Sequence, residues 1–303
     1  MIEGKTIGDR TFNWANVLIM IILMILTLYP FWYALIGSLD TGNDYALGQV
    51  FLWPRQFTLA NYKTVLVDPA LLEALVVTIT RTLIVTVVSV LYTAMFAYAF
   101  SRGYLRGKKW YAAAGFCSMY VGGGLVPLFM LLNWLHLYDN YLVYILPGLF
   151  SFWNVIIFTA NFRSIPDSLI ESAKMDGASE FRIFFQLILP LSKPVLAALS
   201  VFTAVGVWND YTTTLFFTQS QGLQTLQYYI LKLIQSVNAV DALQTQTGAT
   251  SLITGKMHNV ATATSAQTVQ LAAMVVAAIP MIIMYPFAQK YFIKGVLIGS
   301  IKE

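Results

Sequence analysis

Five or six apolar stretches of about 20 residues each dominate this chain of 303 residues. A helix rises about 1.5 Å per residue, so roughly 20 apolar residues cross a hydrocarbon core about 30 Å thick. Spans are predicted at 15–36, 74–100, 111–132, 142–161, 196–217 and 269–289. Charged residues make up only 11% of the chain. A soluble domain carries about 25%, so the charge here is too sparse to cover a water-facing surface. A membrane β-barrel would need alternating segments of about ten residues. Leu18 to Leu28 and Leu271 to Ile283 are apolar at consecutive positions, which excludes it. The predicted class is an all-α, polytopic membrane protein with six transmembrane helices.

Details of the spans follow from single residues. Span 15–36 ends in Leu28-Tyr29-Pro30-Phe31-Trp32-Tyr33, without a small-residue cleavage pattern. It reads as a first span and not as a cleaved signal peptide. Gly122-Gly123-Gly124 and Pro127 interrupt the third, and Pro147-Gly148 predicts a kink in the fourth. Cys117, the single cysteine, allows no intramolecular disulfide and reads as a small buried packing residue.

Basic residues give the topology. Segments 1–14, 101–110, 162–195 and 290–303 hold thirteen Lys and Arg, against four in 37–73, 133–141 and 218–268. The positive-inside tendency places the first group, with both termini, in the cytoplasm. Among the outer segments, 37–73 contains Trp53-Pro54 and Leu59-Ala60-Asn61-Tyr62, a composition that predicts a folded cap. In 218–268, Leu223 to Val237 alternates like an amphipathic interfacial helix. The Thr- and Gln-rich Gln244 to Thr250 reads as a loop. His136 and His258 lie outside the spans without a convergent Cys or acid set, so no metal site is expected. His136 reads as an interface residue beside Trp134. The modest charge of +4 gives no reason to invoke nucleic acid.

Segment 162–195 does not resemble a linker. Four acids balance four bases, and apolar residues punctuate both halves. Ser164 is a candidate helix cap, with Pro166 and Asp167 in the first turn. Gly177 permits a turn, with Asp176 helping to close it. Ser179-Glu180-Phe181 starts a second helix, in which Phe181, Phe184, Phe185 and Ile188 make a bulky face. Pro190 and Pro194 end it. An apolar patch on the wet side of a membrane implies a protein partner, or else a hairpin resting on headgroups.

The run Glu171-Ser172-Ala173, Asp176-Gly177-Ala178 and Ile188-Leu189-Pro190 resembles the EAA signature of ABC importer permeases, with Ser172 in place of the middle Ala. The stretch from Pro286 to Lys302 is similar to the tail of MalG-type sugar permeases. Trp208-Asn209-Asp210 falls where those proteins carry a Trp-Asn-acid sequence. The resemblance covers nearly the whole chain and implies the type I importer permease fold. It implies a heteromeric complex with a second, non-identical permease subunit, two cytoplasmic ATPase subunits and an extracytoplasmic solute-binding protein, in the inner membrane of a bacterium. ATP and Mg would be bound in the ATPase subunits, and this chain would bind no cofactor. No Gly-x-x-x-x-Gly-Lys-Ser/Thr loop is present, and no residue reads as a catalyst.

On that resemblance Glu171, Ala173, Asp176, Gly177, Ala178, Ile188 and Pro190 would couple to the ATPase. Lys294, Gly295 and Gly299 would be the tail contact. The loop at 237–265 would reach the binding protein. The closest subgroup handles oligosaccharides and acidic polysaccharide fragments such as alginate. Within the spans, Asn154, Trp208, Asn209 and Asp210 are candidates for lining the translocation path. The alternative for the last two is a helix–helix hydrogen bond between permeases. Arg81 is a further ionisable residue at depth. Three other functions remain open: a permease of the same architecture for a polyol, glycerol phosphate or osmolyte; an ion-coupled secondary transporter, which would need an inverted repeat; and a non-transporting scaffold.

The topology is testable. Leu105→Cys and Glu180→Cys should both be protected from an impermeant thiol reagent added outside intact cells. Labelling of both from outside would reject the cytoplasmic placement of 101–110 and 162–195.

Overall fold

The computed structural model describes residues 7–42, 45, 52–247 and 264–300. The described residues form helices joined by short turns, with a lone β-bridge between Asp40 and Phe57. In chain order the helices are α1 (Ile7–Ser38), α2 (Ala60–Val67), α3 (Pro69–Ser101), α4 (Lys108–Tyr120) and α5 (Leu125–Trp134). Two 3-10 turns fill Tyr141–Gly148 before α6 (Phe152–Arg163) and α7 (Asp167–Met175). Then come α8 (Glu180–Leu191), which contains a π-helical turn at Phe184–Ile188, α9 (Lys193–Asn209), α10 (Thr212–Phe217), α11 (Leu226–Thr247) and α12 (Ala266–Ser300). Three stretches are long and apolar enough to cross a membrane alone: Thr11–Ser38, Pro69–Ser101 and Ala266–Pro286. Three bent pairs bring the number to six if each is taken as one span: α4 with α5 at 115°, the 3-10 turns with α6 at 47°, and α8 with α9 at 83°. The all-α polytopic class therefore holds.

The chain divides into two compact units. The first comprises residues 1–68 and 232–278. Most of α1 is exposed, with Leu18 to Leu26 each more than 40% accessible, a surface suited to lipid or to another subunit. At the end of α1 the cap predicted from 37–73 is a knot of paired polar groups. Asn61 Nδ2 donates to the carbonyls of Ser38 and Asp40 at 2.9 Å each. Its Oδ1 accepts from the Thr268 hydroxyl at 2.9 Å, and Ser38 Oγ meets Tyr62 Oη at 2.6 Å. Asp40 Oδ1 accepts the N–H groups of Thr41 and Gln56 at 3.0 Å. Asn61 and Thr268 are fully buried with their side-chain groups paired, while Asp40 Oδ2 is buried without a partner.

The second unit comprises residues 69–231 and 279–303. Its core joins α3, α6, α7, α8 and α9 through Ala94, Ala97, Phe158, Phe162, Ile170, Ile183, Ile188 and Leu199. Ala94 and Ala97 are fully buried, and small residues of this kind let membrane helices approach closely. Caps match local chemistry. Ser151 Oγ accepts from the Asn154 N–H at the start of α6, and Ser179 Oγ from that of Arg182 at the start of α8. Pro69 occupies the first position of α3, where its missing N–H costs no hydrogen bond.

Several local expectations change. Ser164 does not cap α7. It follows α6 and donates to the Asn161 carbonyl at 2.7 Å, because Pro166 holds an extended backbone (ψ 132°) and delays the helix to Asp167. The stretch 196–217 is not one helix but α9 and α10, separated at Asp210 (ψ 112°). Cys117 is exposed rather than buried. The interfacial helix begins at Leu226, and its backbone continues to Thr247, so Gln244 to Thr247 are helical and not loop. The remainder of 237–265 lies largely outside the described residues. His136 is exposed, with a left-handed backbone (φ 55°).

One close approach governs how α4 meets α6. A Cβ added at Gly115 would lie 2.1 Å from the ring of the buried Phe152. Gly115→Val should therefore cost about 1–3 kcal/mol through overpacking. It should lower the thermal midpoint of the purified protein in detergent. Gly122→Ala, where nothing lies within 4 Å, should leave the midpoint in place. Equal midpoints for Gly115→Val and wild type would refute the close approach.

Candidate functional site

The segment 162–195 folds as a hairpin of α7 and α8 with two unlike faces. On α7, Ile170 is buried and Ala173 half-buried, while Glu171 is exposed. Asp167 in the first turn and Lys174 in the last complement the helix dipole. The helix is closed by backbone groups. The Gly177 N–H donates to the Lys174 carbonyl and the Ala178 N–H to the Ala173 carbonyl, each at 3.0 Å. Gly177 has φ +77°. This is the Schellman ending, which needs a left-handed residue after the helix. Asp176 caps the helix through its own N–H, bonded to the Ser172 carbonyl at 3.1 Å. No hydrogen bond reaches its carboxylate among the described residues. Ala173 and Ala178 are small because they rest on the chain's own core. Gly177 differs: a Cβ there would meet nothing within 4 Å, so within this chain glycine serves the dihedral and not the space.

Two charged clamps hold the hairpin to α3 and the loop after it. Arg102 Nη1 reaches Asp167 Oδ1 at 3.3 Å, and its guanidinium lies 4.8 Å over the Tyr98 ring. Glu180 is the second anchor. Its Oε1 accepts from Lys174 Nζ at 2.7 Å and the Tyr104 hydroxyl at 2.9 Å, and its Oε2 from the Tyr98 hydroxyl at 2.6 Å. Burial pushes the Glu180 carboxyl up, but the hydrogen bonds from Lys174, Tyr98 and Tyr104 outweigh it and hold it below its ordinary range. The hydrogen bond to Glu180 raises Lys174. The Glu180 contribution is complete above pH 4.5 and is lost as pH falls through the lowered value. The Lys174 contribution is complete below pH 10.5 and is lost as pH rises through the raised one. The clamp is therefore intact at neutral pH.

The Phe-rich face divides. Phe184 and Ile188 are buried, whereas Phe181 is 66% and Phe185 49% exposed. Met175 is 89% exposed. Pro190 is exposed near the end of α8. A cavity of about 290 Å³ opens beside the turn, lined by Ala173, Asp176, Ala178, Arg182 and Gln186. A rigid hairpin with bare apolar side chains beside exposed Glu171, Asp176 and Gly177 has the character of a docking surface.

The second cluster lies within the spans. Arg81 on α3 is 3% exposed and forms an ion pair with Asp210. Its Nη2 also donates to the Val207 carbonyl at 3.2 Å and its Nη1 to the Asp210 carbonyl at 3.4 Å. The guanidinium sits 4.5 Å from the Tyr144 ring centroid. A helix end leaves its last carbonyls without partners, and Arg81 supplies them where α9 stops. Asp210 Oδ1 faces the other way and accepts from the Thr212 hydroxyl at 2.6 Å and the Thr213 N–H at 3.1 Å, at the start of α10. The pair thus ties the two halves of a broken helix to α3. Sequence reasoning noted Arg81 and Asp210 separately. The 129 residues between them hide the pairing.

Trp208 is buried at 3%, so its ring packs inside the chain and is not presented for sugar stacking. Asn209 is exposed. It donates to the Val205 carbonyl at 3.0 Å and accepts from Gln227 at 3.5 Å. Asn154 is half-buried at the start of α6, and no hydrogen bond joins it to the Asp210 cluster among the described residues. Lys294, Gly295 and Gly299 fall on helical backbone in α12, but the surroundings of residues 290–300 lie outside the described side chains. No group of metal-ligating residues occurs among the described residues.

Residues 118–298 match the family "Binding-protein-dependent transport system inner membrane component". The chain is 34% identical to Protein LplC of Bacillus subtilis (strain 168), over 98% of this chain and 97% of that one. It is 31% identical to the polygalacturonan/rhamnogalacturonan transport system permease protein YtcP of the same organism, over 97% and 99% of the two chains. Among solved structures it is similar to a chain of a bacterial ABC transporter involved in the import of the acidic polysaccharide alginate. That match has a TM-score of 0.84 and 30% identity, covering 95% of this chain and 99% of the other.

The Arg81–Asp210 junction generates a prediction. Arg81→Gln leaves a carboxylate stranded at depth and should cost about 3–5 kcal/mol. Arg81→Gln with Asp210→Asn should recover part of that loss. The thermal midpoints of the purified wild type, both single variants and the double variant close the cycle. Strictly additive effects would remove the pair as the tie between α3 and the broken helix.

Proposed function

The chain belongs to the family of binding-protein-dependent transport system inner membrane components, and on that premise we propose that it forms half of the path by which an ATP-driven importer moves an acidic oligosaccharide into a bacterial cell. The substrate class rests on the relatives. One is a permease for polygalacturonan and rhamnogalacturonan, and one solved neighbour belongs to an alginate importer. The partners are a second permease subunit, two ATPase subunits that bind ATP and Mg, and an extracytoplasmic binding protein. This chain hydrolyses nothing itself. Both termini face the cytoplasm, in line with the basic residues.

The observation that carries the reading is the clamped hairpin with a bare outer face. Closure of the ATPase dimer displaces α7 as a rigid peg. The Lys174–Glu180–Tyr98 contacts pass that displacement to α3. The same helix holds Arg81, about 26 Å away at 1.5 Å per residue. Arg81 in turn holds the break between α9 and α10. Movement at the cytoplasmic face thereby reaches Asn209 and Asp210, which with Asn154 are the candidates for lining the path. Trp208 supports them from within the packed side of α9. The tail at Lys294, Gly295 and Gly299 and the loop at 237–265 are assigned to ATPase and binding-protein contact on resemblance alone.

Gly177→Asp separates docking from folding. Asp tolerates a left-handed backbone better than most residues. A side chain there meets no atom of this chain within 4 Å. The variant should insert and fold, yet lose uptake, together with ATPase co-purification or solute-stimulated ATP hydrolysis. Glu171→Ala should be milder, since a partly wet ion pair is worth about 0–1 kcal/mol. Normal subunit stoichiometry, stimulation and uptake in Gly177→Asp would make the hairpin a headgroup-bound element and not a coupling peg.

A further inference from the structure

A second cavity, of about 310 Å³, lies on the other side of α7. Its walls include Ser101, Arg102, Arg163 and Lys174, with the carboxylates of Asp167 and Glu171. The cations are unequally engaged. Lys174 is committed to Glu180 at 2.7 Å. Arg102 is 8% exposed and uses Nη1 on Asp167, while its Nε and Nη2 are buried without any hydrogen-bond partner. Arg163, in the last turn of α6, forms no ion pair among the described residues. Lys108 adds to the positive field and donates to the Arg102 carbonyl at 3.4 Å. Burial and then the charge of Arg163 lower its affinity for a proton. A buried guanidinium with two unpartnered nitrogens is an incomplete structure, because such groups are costly to leave unpaired.

Arg presents a planar fork that fits phosphate through paired N–H donors. The cavity lies at the end of α3, with the exposed ring of Tyr104 in its wall. Exposed aromatics at a span end mark the headgroup level. Basic pockets between spans on the cytoplasmic side suit anionic lipid headgroups. We infer that this cavity takes a phosphate group between Arg102 and Arg163, delivered by an anionic phospholipid of the inner leaflet or by free phosphate. Bound there, the phosphate supplies the counter-charge that Arg102 and Arg163 lack and braces the α7 end that Asp167 anchors. The membrane's anionic lipid content would then tune how firmly the hairpin is held. The lipid source rests on the cytoplasmic placement of this face, which thiol labelling tests independently.

The experiment uses the assembled importer in mild detergent. Native mass spectrometry counts retained phosphatidylglycerol, with phosphatidylcholine as the neutral comparison. Thermal midpoints are taken with and without inorganic phosphate. Wild type should retain one more phosphatidylglycerol than Arg163→Gln, whose apparent affinity should fall at least about tenfold. Arg102→Lys, which keeps charge but loses the fork, should weaken retention likewise. If inorganic phosphate alone raises the midpoint of wild type but not of Arg163→Gln, the site is a phosphate site fed from solution. Equal lipid retention and equal phosphate response in wild type and both variants would overturn the proposal. So would an Arg163→Gln variant that sheds ATPase subunits while keeping its lipid count, because a partner's carboxylate would then be filling the cavity.

Discussion

A break in an apolar helix exposes backbone donors and acceptors that lipid cannot satisfy, and the stretch 196–217 breaks at Asp210 between α9 and α10. The Arg81–Asp210 pair is the most developed answer to that constraint. One guanidinium serves the last carbonyls of α9 and one oxygen of Asp210, while the other oxygen starts α10. Without such a tie the discontinuity would be an unpaired end. With it, the break is a defined joint, and side chains on either side of it are held in place. The same economy of groups is seen outside the spans, where Asn61 serves two carbonyls and one hydroxyl.

The α7–α8 hairpin shows a division of labour between its two faces. Its inner side is held by Ile170, Ala173 and Ala178 on the core, and by Arg102 and Glu180 through charge. Its outer side is left with Met175, Phe181 and Phe185 bare. Rigidity on one face and vacancy on the other is what the proposed transmission of force to a partner requires. The Schellman turn at Gly177 gives the hairpin its corner without using any side chain, so the outer face stays free for contact.

Much of this was legible in the order of residues. Apolar runs longer than a hydrocarbon core is thick admit few folds, so the all-α membrane class follows from local composition. The Glu171-Ser172-Ala173 to Pro190 run identified the hairpin by its pattern, and Gly177 was recognisable because only a left-handed turn makes glycine so useful there. Local readings went astray where a neighbour in the chain overrode them. Pro166 moved the start of α7 past Ser164, and Asp210 divided what hydropathy alone read as one span.

The sequence by itself determined the solvent this protein lives in, its apolar crossings and the place of the helical hairpin, because those depend on residues close together in the chain. Only the tertiary structure decided which charges meet. Arg81 pairs with a residue 129 positions away and Glu180 with a tyrosine 82 positions away. It also decided that Trp208 faces inward and that Arg102 keeps two nitrogens unpartnered. Pairing and burial are set by how helices pack, and no local pattern carries that information when a hydrogen bond spans a hundred residues.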